Sequence, residues 1–240
     1  MSVVVPVRDE AESVLPLAAE VHAALVHEAF ELIFVDDGSR DGTAASLVQA
    51  QARYPRVRVL RHVRSCGQSA ALRTGVRAAR GALVVTLDGD GQNDPADVPA
   101  LLAACRRWAG GPAGSRPLGL VAGQRVRRLD GIGKRLASRF ANAVRARVLG
   151  DAVPDTGCGL KAFPRDTFLA LPYFDHMHRF LPALVRREGC AVALVAVGHR
   201  PRLAGRSKYG LLDRAAAGVV DLLGVLWLAR RCRLPRVEEA

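Results

Sequence analysis

Residues Gly81–Pro95 read GALVVTLDGDGQNDP. A short apolar run ends here in three carboxylates, Asp88, Asp90 and Asp94. A run of this length behind a glycine reads as a strand over residues 81–88, buried on both faces. Residues two apart in an extended chain point the same way, with about 7 Å between Cα atoms. Asp88 and Asp90 then aim at one place beyond the strand, with Gln92 next on that side. Gly89 and Gly91 leave the backbone open to close approach. Carboxylates so spaced repel one another, and a cation would offset that cost. An all-oxygen set of ligands suits Mg2+ or Mn2+. A calcium loop of the EF-hand kind does not fit, because a loop begun at Asp88 places Asn93 and Pro99 where Gly and Glu are needed. A solvated turn with a cap before Pro95 is the alternative.

Working outward, the preceding chain alternates strand and helix. SVVVPV (2–7), FELIFV (30–35) and RVRVLRH (56–62) read as strands, and residues 9–26, 44–53 and 69–79 as helices. Alternation at such short spacing predicts an α/β fold, a Rossmann-like, mostly parallel sheet with helices on both faces. Sites in such sheets lie beyond the carboxyl ends of the strands. VPVRDE, VDDGS and LDGDG all hold that position, so they are expected to converge on one crevice. Downstream, AGGPAGSRP (109–117) reads as a loop or hinge. A strand at 119–123, a basic helix over 132–148, a helical stretch at 179–187 and a strand at 190–199 complete the same domain, without an internal repeat. GCGLKA satisfies the dinucleotide pattern Gly157-x-Gly159-x-x-Ala162, but no apolar strand precedes it.

The chain has 240 residues, half of them apolar, enough for one substantial core and too many for a disordered chain. Five widely spaced cysteines suit a reducing compartment and offer no structural zinc site. The start, MSVVVPVRDE, is charged too soon for a signal peptide. The net charge of +12 is concentrated in two windows, Arg116–Arg147 and Arg200–Arg236. Such patches attract polyanions or an anionic membrane. With 5% aromatic residues and no zinc-finger or RNP-type signature, nucleic acid is not the expected partner.

Five pieces of the chain, in order, resemble family 2 glycosyltransferases of the GT-A fold, in their dolichol-phosphate mannosyltransferase-like, polyprenyl-phosphate branch. They are VVVPVRDE (for the usual P-x-Y-N-E), FVDDGSRDGT, GQSAALRTGVRAARGALVVTLDGDGQNDP, VPDTGCGLKAF and HRPRLAGRSKYG, which carries the branch's R-x-x-G-x-SK. The resemblance spans residues 2–210. It implies an inverting transfer of mannose or glucose from a GDP- or UDP-linked donor to a polyprenyl phosphate. Asp88 and Asp90 would be the D-x-D that holds Mg2+ or Mn2+ against the donor diphosphate, with Gln92 as a further ligand. Pro6, Arg8, Glu10, Val35, Asp36, Asp37 and Gly89 would line the nucleotide pocket, where carboxylates accept hydrogen bonds from base N–H or ribose hydroxyl groups. An Asx turn closing the strand is the other reading of Asp36–Ser39. Arg8 and Asp9 stand where the family has Tyr and Asn.

By the same resemblance Arg202, Lys208 and Ser207 serve the donor or acceptor phosphate, with a cation there favouring the leaving diphosphate in the transition state. Gly205 and Gly210 would let their segment close over the substrate. Arg125 matches the branch's G-S-R and, with Lys134, Arg135 and Ser138, would contact the acceptor phosphate. Lys134, Arg135, Ser138 and Asn142 match its acceptor-facing helix, and Lys134, Ser138 and Asn142 share one helix face. An ionised lipid phosphate needs no general base, whereas a sugar hydroxyl would, with Asp155 as the candidate. His62, His176, His178 and His199 read as scaffold, although His178–Arg179 would fit a site. The second function considered is transfer to a saccharide hydroxyl, and the third a non-catalytic module that binds nucleic acid or membrane.

Beyond residue 210, Leu211–Ala229 reads LLDRAAAGVVDLLGVLWLA. Its two apolar pieces, Ala215–Val220 and Leu222–Ala229, together span about 22 Å as a helix, less than the roughly 30 Å of bilayer hydrocarbon. Asp213, Arg214 and Asp221 share one side of the wheel. The expectation is an amphipathic helix in the membrane interface, anchored by Arg230, Arg231 and Arg233, at the cytoplasmic face. Packing on the protein, on a second copy or on a membrane-protein partner is the alternative. The domain division expected is 1–210 and 211–240.

Overall fold

The computed structural model describes residues 1–109, 116–126, 145–150, 153–201 and 211–233, with side chains in the last stretch from residue 218. The first half builds β1 (Ser2–Val7), α1 (Ala11–Ala24), β2 (Glu31–Asp36), α2 (Thr43–Arg53), β3 (Val57–Arg61), α3 (Gln68–Ala78) and β4 (Leu83–Thr86). Then come α4 (Val98–Ala109), β5 (Leu118–Arg125), β6 (Lys161–Pro164), α5 (Arg165–Ala170), α6 (Leu181–Arg187), β7 (Ala191–Val197) and α7 (Leu211–Arg231).

The seven strands form one sheet in the order β3-β2-β1-β4-β6-β5-β7. All run parallel except β6, which is antiparallel to both β4 and β5. Val3, Val4 and Val5 of β1 are fully buried because helices cover both faces. On one face Val3 and Val5 pack with Val14, Leu17 and Val21 of α1 and Leu101 of α4. On the other, Val4 and Ile33 pack with Leu72 and Val76 of α3, Leu184 of α6 and Val225 of α7.

Successive strands move outward from β1 to β3, then β4 returns to the opposite side of β1. That reversal opens a crevice between the carboxyl ends of β1 and β4. The strand expected over 81–88 ends at Thr86, so Asp88 stands two residues past it. Of the basic helix expected over 132–148, only 145–148 falls among the described residues, and it is helical. β6, α4 and α5 lie where the sequence reading assigned no element. GCGLKA runs into a strand rather than a helix, which disposes of the dinucleotide pattern.

The C-terminal helix α7 packs its inner side on the protein. Asp221 accepts from the ring of His176 at 3.0 Å, and Arg187 Nε donates to Leu228 O at 3.1 Å. Its outer side leaves Val219, Val220, Leu223 and Trp227 exposed, each by 59–70%. Asp221 therefore points to the protein instead of marking a solvated face. Asp213 and Arg214 have side chains outside the described residues. No described helix is long and apolar enough to cross a membrane.

Candidate active site

The carboxyl ends of β2, β1 and β4 bring the acidic clusters together, as their positions in the sequence imply. Val7 of β1 pairs with Asp36 of β2, and Val4 with Thr86 of β4. Beyond β1 the chain turns through Asp9, whose φ of +50° lies in the left-handed region. Asp and Asn tolerate that conformation better than most residues, which suits this position to either. The turn is tied to the next strand's loop: Asp9 N–H donates to Ser39 Oγ (2.9 Å), Arg40 N–H to Asp9 Oδ1 (2.7 Å) and Glu10 N–H to Thr43 Oγ1 (2.8 Å). Pro6, Arg8 and Glu10 are half-buried at this rim.

Asp36 and Asp37 are both deeply placed. Asp36 is fully buried. Its Oδ1 accepts from Ser39 N–H at 2.8 Å, the Asx turn of the alternative reading, and its Oδ2 lies 3.2 Å from Arg61 Nε. Asp37 clamps the loop before α3. Its two oxygens accept from His62 Nδ1 (2.7 Å), Ser65 Oγ (2.7 Å), Cys66 N–H (2.8 Å) and Gly67 N–H (2.9 Å). Burial opposes the charge of Asp37, but these bonds outweigh it and hold the carboxyl below its usual range. Asp37, His62 and Cys66 lie close enough to suggest a cation site. The bonds they make to one another, and that of His62 Nε2 to Thr74, explain the cluster without one. The side chain of Val35 is fully buried in the core.

After β4 the chain does not continue extended, as the sequence reading assumed. It turns at Gly89–Gly91, with Gly91 at φ +74°. A Cβ on Gly89 would meet Pro6 O at 2.8 Å, so the turn rests directly on β1. Asn93, 3% exposed, closes it by accepting from Asp88 N–H at 3.1 Å. Asp94 is a cap rather than a member of the pair, because its Oδ1 accepts from Ala96 N–H at 2.9 Å. Asp88 and Asp90 are thus brought together by a turn instead of by strand periodicity.

A second wall comes from the reversed strand. Thr86 Oγ1 donates to Gly159 O at 2.7 Å. The Asp88 carboxylate lies flat on Gly159, where any Cβ would overlap it. Lys161 of β6, 4% exposed, donates to the carbonyls of Thr156 (3.3 Å) and Cys158 and so shapes the 156–159 loop. Gln68 Nε2 at the start of α3 donates to Asp88 Oδ1 at 2.9 Å. The carboxyl of Asp88 is pushed up to about 6, first by burial and next by the charge of Asp90, against the pull of Lys161 and Arg125. Two crowded carboxylates at such a cost, with only oxygen donors, fit a hard divalent cation. Asp88 and Asp90 would hold it, and Gln92, half-buried on the same turn, is within the chain's reach of them.

Arg125, at the end of β5, makes a two-pronged pair with Asp155: Nε to Oδ2 at 2.7 Å and Nη2 to Oδ1 at 2.9 Å. Lys134, Arg135, Ser138, Asn142, Arg202, Ser207 and Lys208 lie outside the described residues. The last described residues before Arg202 are anchored at the acidic turn. Arg200 N–H donates to Gln92 O (3.0 Å), and its guanidinium to Glu20 (2.7 and 3.3 Å) and to Asn93 O (3.3 Å).

Gln68 and Lys161 were not singled out from the sequence, and Asn93 and Gly159 were named there only in patterns that do not apply. Each stood inside a quoted motif, but its role arises only where distant segments meet.

The family described as Glycosyl transferase family 2 matches residues 2–170. The dodecaprenyl-phosphate galacturonate synthase of Rhizobium johnstonii is 37% identical over 239 residues, covering 96% of this chain and 67% of that protein. The undecaprenyl-phosphate 4-deoxy-4-formamido-L-arabinose transferase of Pseudomonas aeruginosa is 35% identical over 216 residues, covering 88% of this chain and 61% of that protein. The chain thus spans about two thirds or less of the length of these relatives. Among solved structures, glucosyl-3-phosphoglycerate synthase from Mycobacterium tuberculosis, in complex with Mn2+, UDP and glucosyl-3-phosphoglycerate, superposes with a TM-score of 0.68 at 23% identity. The match covers 98% of this chain and 80% of that one, and it shows a shared GT-A fold. A reversed strand inside an otherwise parallel sheet, an acidic turn at the strand-order reversal and a matching family description agree: this chain belongs to glycosyl transferase family 2.

Proposed function

We propose that the protein transfers a sugar from a nucleotide diphosphate donor to a polyprenyl phosphate, with inversion, at the cytoplasmic face of a membrane. Asp88 and Asp90, with Gln92, hold Mg2+ or Mn2+. When bound, that ion neutralises charge on the leaving diphosphate. Pro6, Arg8 and Glu10 form the nucleotide rim, stiffened from behind by Asp36 and Asp37. Arg202, Lys208, Ser207, Lys134, Arg135, Ser138 and Asn142 remain the proposed phosphate contacts, and Arg125, held in place by Asp155, is proposed as a further one.

The observation that carries the choice of acceptor is the Arg125–Asp155 pair. A hydroxyl acceptor needs a base, and the carboxylate suited to that role is tied up by two charge-assisted hydrogen bonds. An ionised phosphate attacks the anomeric carbon without one. The names of the two curated relatives, both polyprenyl-phosphate transferases, support the same acceptor. The outer stripe of α7, flanked by the exposed Arg230, Arg231 and Arg233, is proposed to rest on the anionic bilayer that holds the lipid.

The test supplies the full chain with Mn2+, a panel of UDP- and GDP-sugars and undecaprenyl phosphate. A lipid-linked sugar released by mild acid is expected. Sugar appearing on a saccharide hydroxyl instead, with the lipid unmodified, would overturn the reading.

A further inference from the structure

A cavity of about 220 Å³ opens beside Asp88, lined in part by Gln68, Thr156, Lys161, His178 and Arg179. Gln68 and Ser69 are consecutive at the start of α3, and each bonds a residue that lines it. Gln68 holds the Asp88 carboxylate, while Ser69 Oγ bonds Nδ1 of His178 at 2.8 Å and accepts from its backbone N–H at 3.3 Å. Ser69 is 1% exposed, so water does not compete for this pair. With Nδ1 committed, Nε2 is the ring nitrogen without a hydrogen bond among the described residues, on a side chain that borders the cavity. The space adjoins the proposed metal ligand, so a sugar attached to the donor's diphosphate would enter it.

We propose that His178, oriented by Ser69, is a specificity-determining residue for the donor sugar: its Nε2 hydrogen-bonds a ring hydroxyl of the pyranose seated in this cavity. The inference rests on the nucleotide-sugar reading above. Burial first, then the charges of Arg179, Lys161 and His176, hold the imidazole neutral, so it reads a hydroxyl without adding charge beside the diphosphate.

Binding of UDP, GDP and a panel of their sugar conjugates, with Mn2+, is measured by calorimetry for wild type, His178→Ala, His178→Gln and Ser69→Ala. For the free nucleotide, affinity should stay within about twofold in every variant. For the sugar conjugate preferred by wild type, His178→Ala should lose about tenfold, the scale of one hydrogen bond. Ser69→Ala should lose part of that, His178→Gln should recover part, and the ranking among epimeric sugars should flatten. An unchanged ranking in His178→Ala, or an equal loss for free nucleotide and conjugate, overturns the assignment while leaving the transferase reading in place. Absence of any nucleotide binding by folded wild type overturns both. Melting curves for each variant establish that it is folded, and His178→Gln serves if the alanine variant is not.

Discussion

Asp88 is the residue on which the site turns, and its neighbours predict how it can be disturbed. Asp90→Asn keeps the shape of the turn but removes a charge, so transfer should be lost while the melting temperature holds. Turnover like that of wild type would dismiss the assigned metal ligands. Gly159→Ala acts from behind, since a methyl there overlaps the carboxylate. The expected cost is about 1–3 kcal/mol of stability, together with weaker Mn2+ binding in a titration. Unaltered metal affinity would show that the carboxylate is not seated as described. His178 sets a pH dependence. Its pKa lies well below the usual 6.5, so below that pH the unfolded chain binds a proton that the folded chain refuses. Stability should therefore fall as the pH drops from about 7 towards 5. Asp88, raised to about 6, works in the opposite sense, since the folded chain takes up its proton more readily than the unfolded one. The difference between wild type and His178→Asn in melting temperature against pH isolates the histidine; identical curves would refute its buried, neutral state.

At the scale of elements, the anchorage of β7's exit matters most. Arg200 joins three pieces, α1 through Glu20, the acidic turn through Gln92 and Asn93, and the chain entering Arg202. Its ion pair is a third exposed, so Arg200→Ala should cost only about 1 kcal/mol in stability. It should raise the Mn2+ needed for half-maximal activity severalfold, and Arg200→Lys should restore part of that. Equal Mn2+ dependence in both variants and wild type would make the contact merely structural. The same scale shows what could be read in advance. β1, β2 and β4 were legible because each is a short apolar run, β3 because apolar residues alternate with arginine in it, and the acidic motif because it follows one of them. β6 was not, because KAFP is four residues beginning with a lysine. It is a strand only by virtue of the edges of β4 and β5, which no local pattern announces. Gly159 and Lys161 went unassigned for that reason, and His178 was flagged without the Ser69 contact that gives it a role.

The whole molecule carries a charge of +12 and an apolar stripe on one helix, and together these predict where it works. Vesicles containing phosphatidylglycerol should bind the protein, more weakly as salt rises. Trp227→Glu should lower that partitioning by about tenfold or more without changing the melting temperature, because the side chain is already 59% exposed. Binding unaffected by the substitution would assign the stripe to another surface. The sheet has a consequence of a different kind. β6 fills the gap between β4 and β5 from far along the chain, so on the ribosome β4 keeps a bare edge from Thr86 until Lys161 has emerged. A nascent chain in that condition invites pairing with its neighbours. Its yield in cells should depend more on chaperone capacity than the stability of the finished sheet suggests.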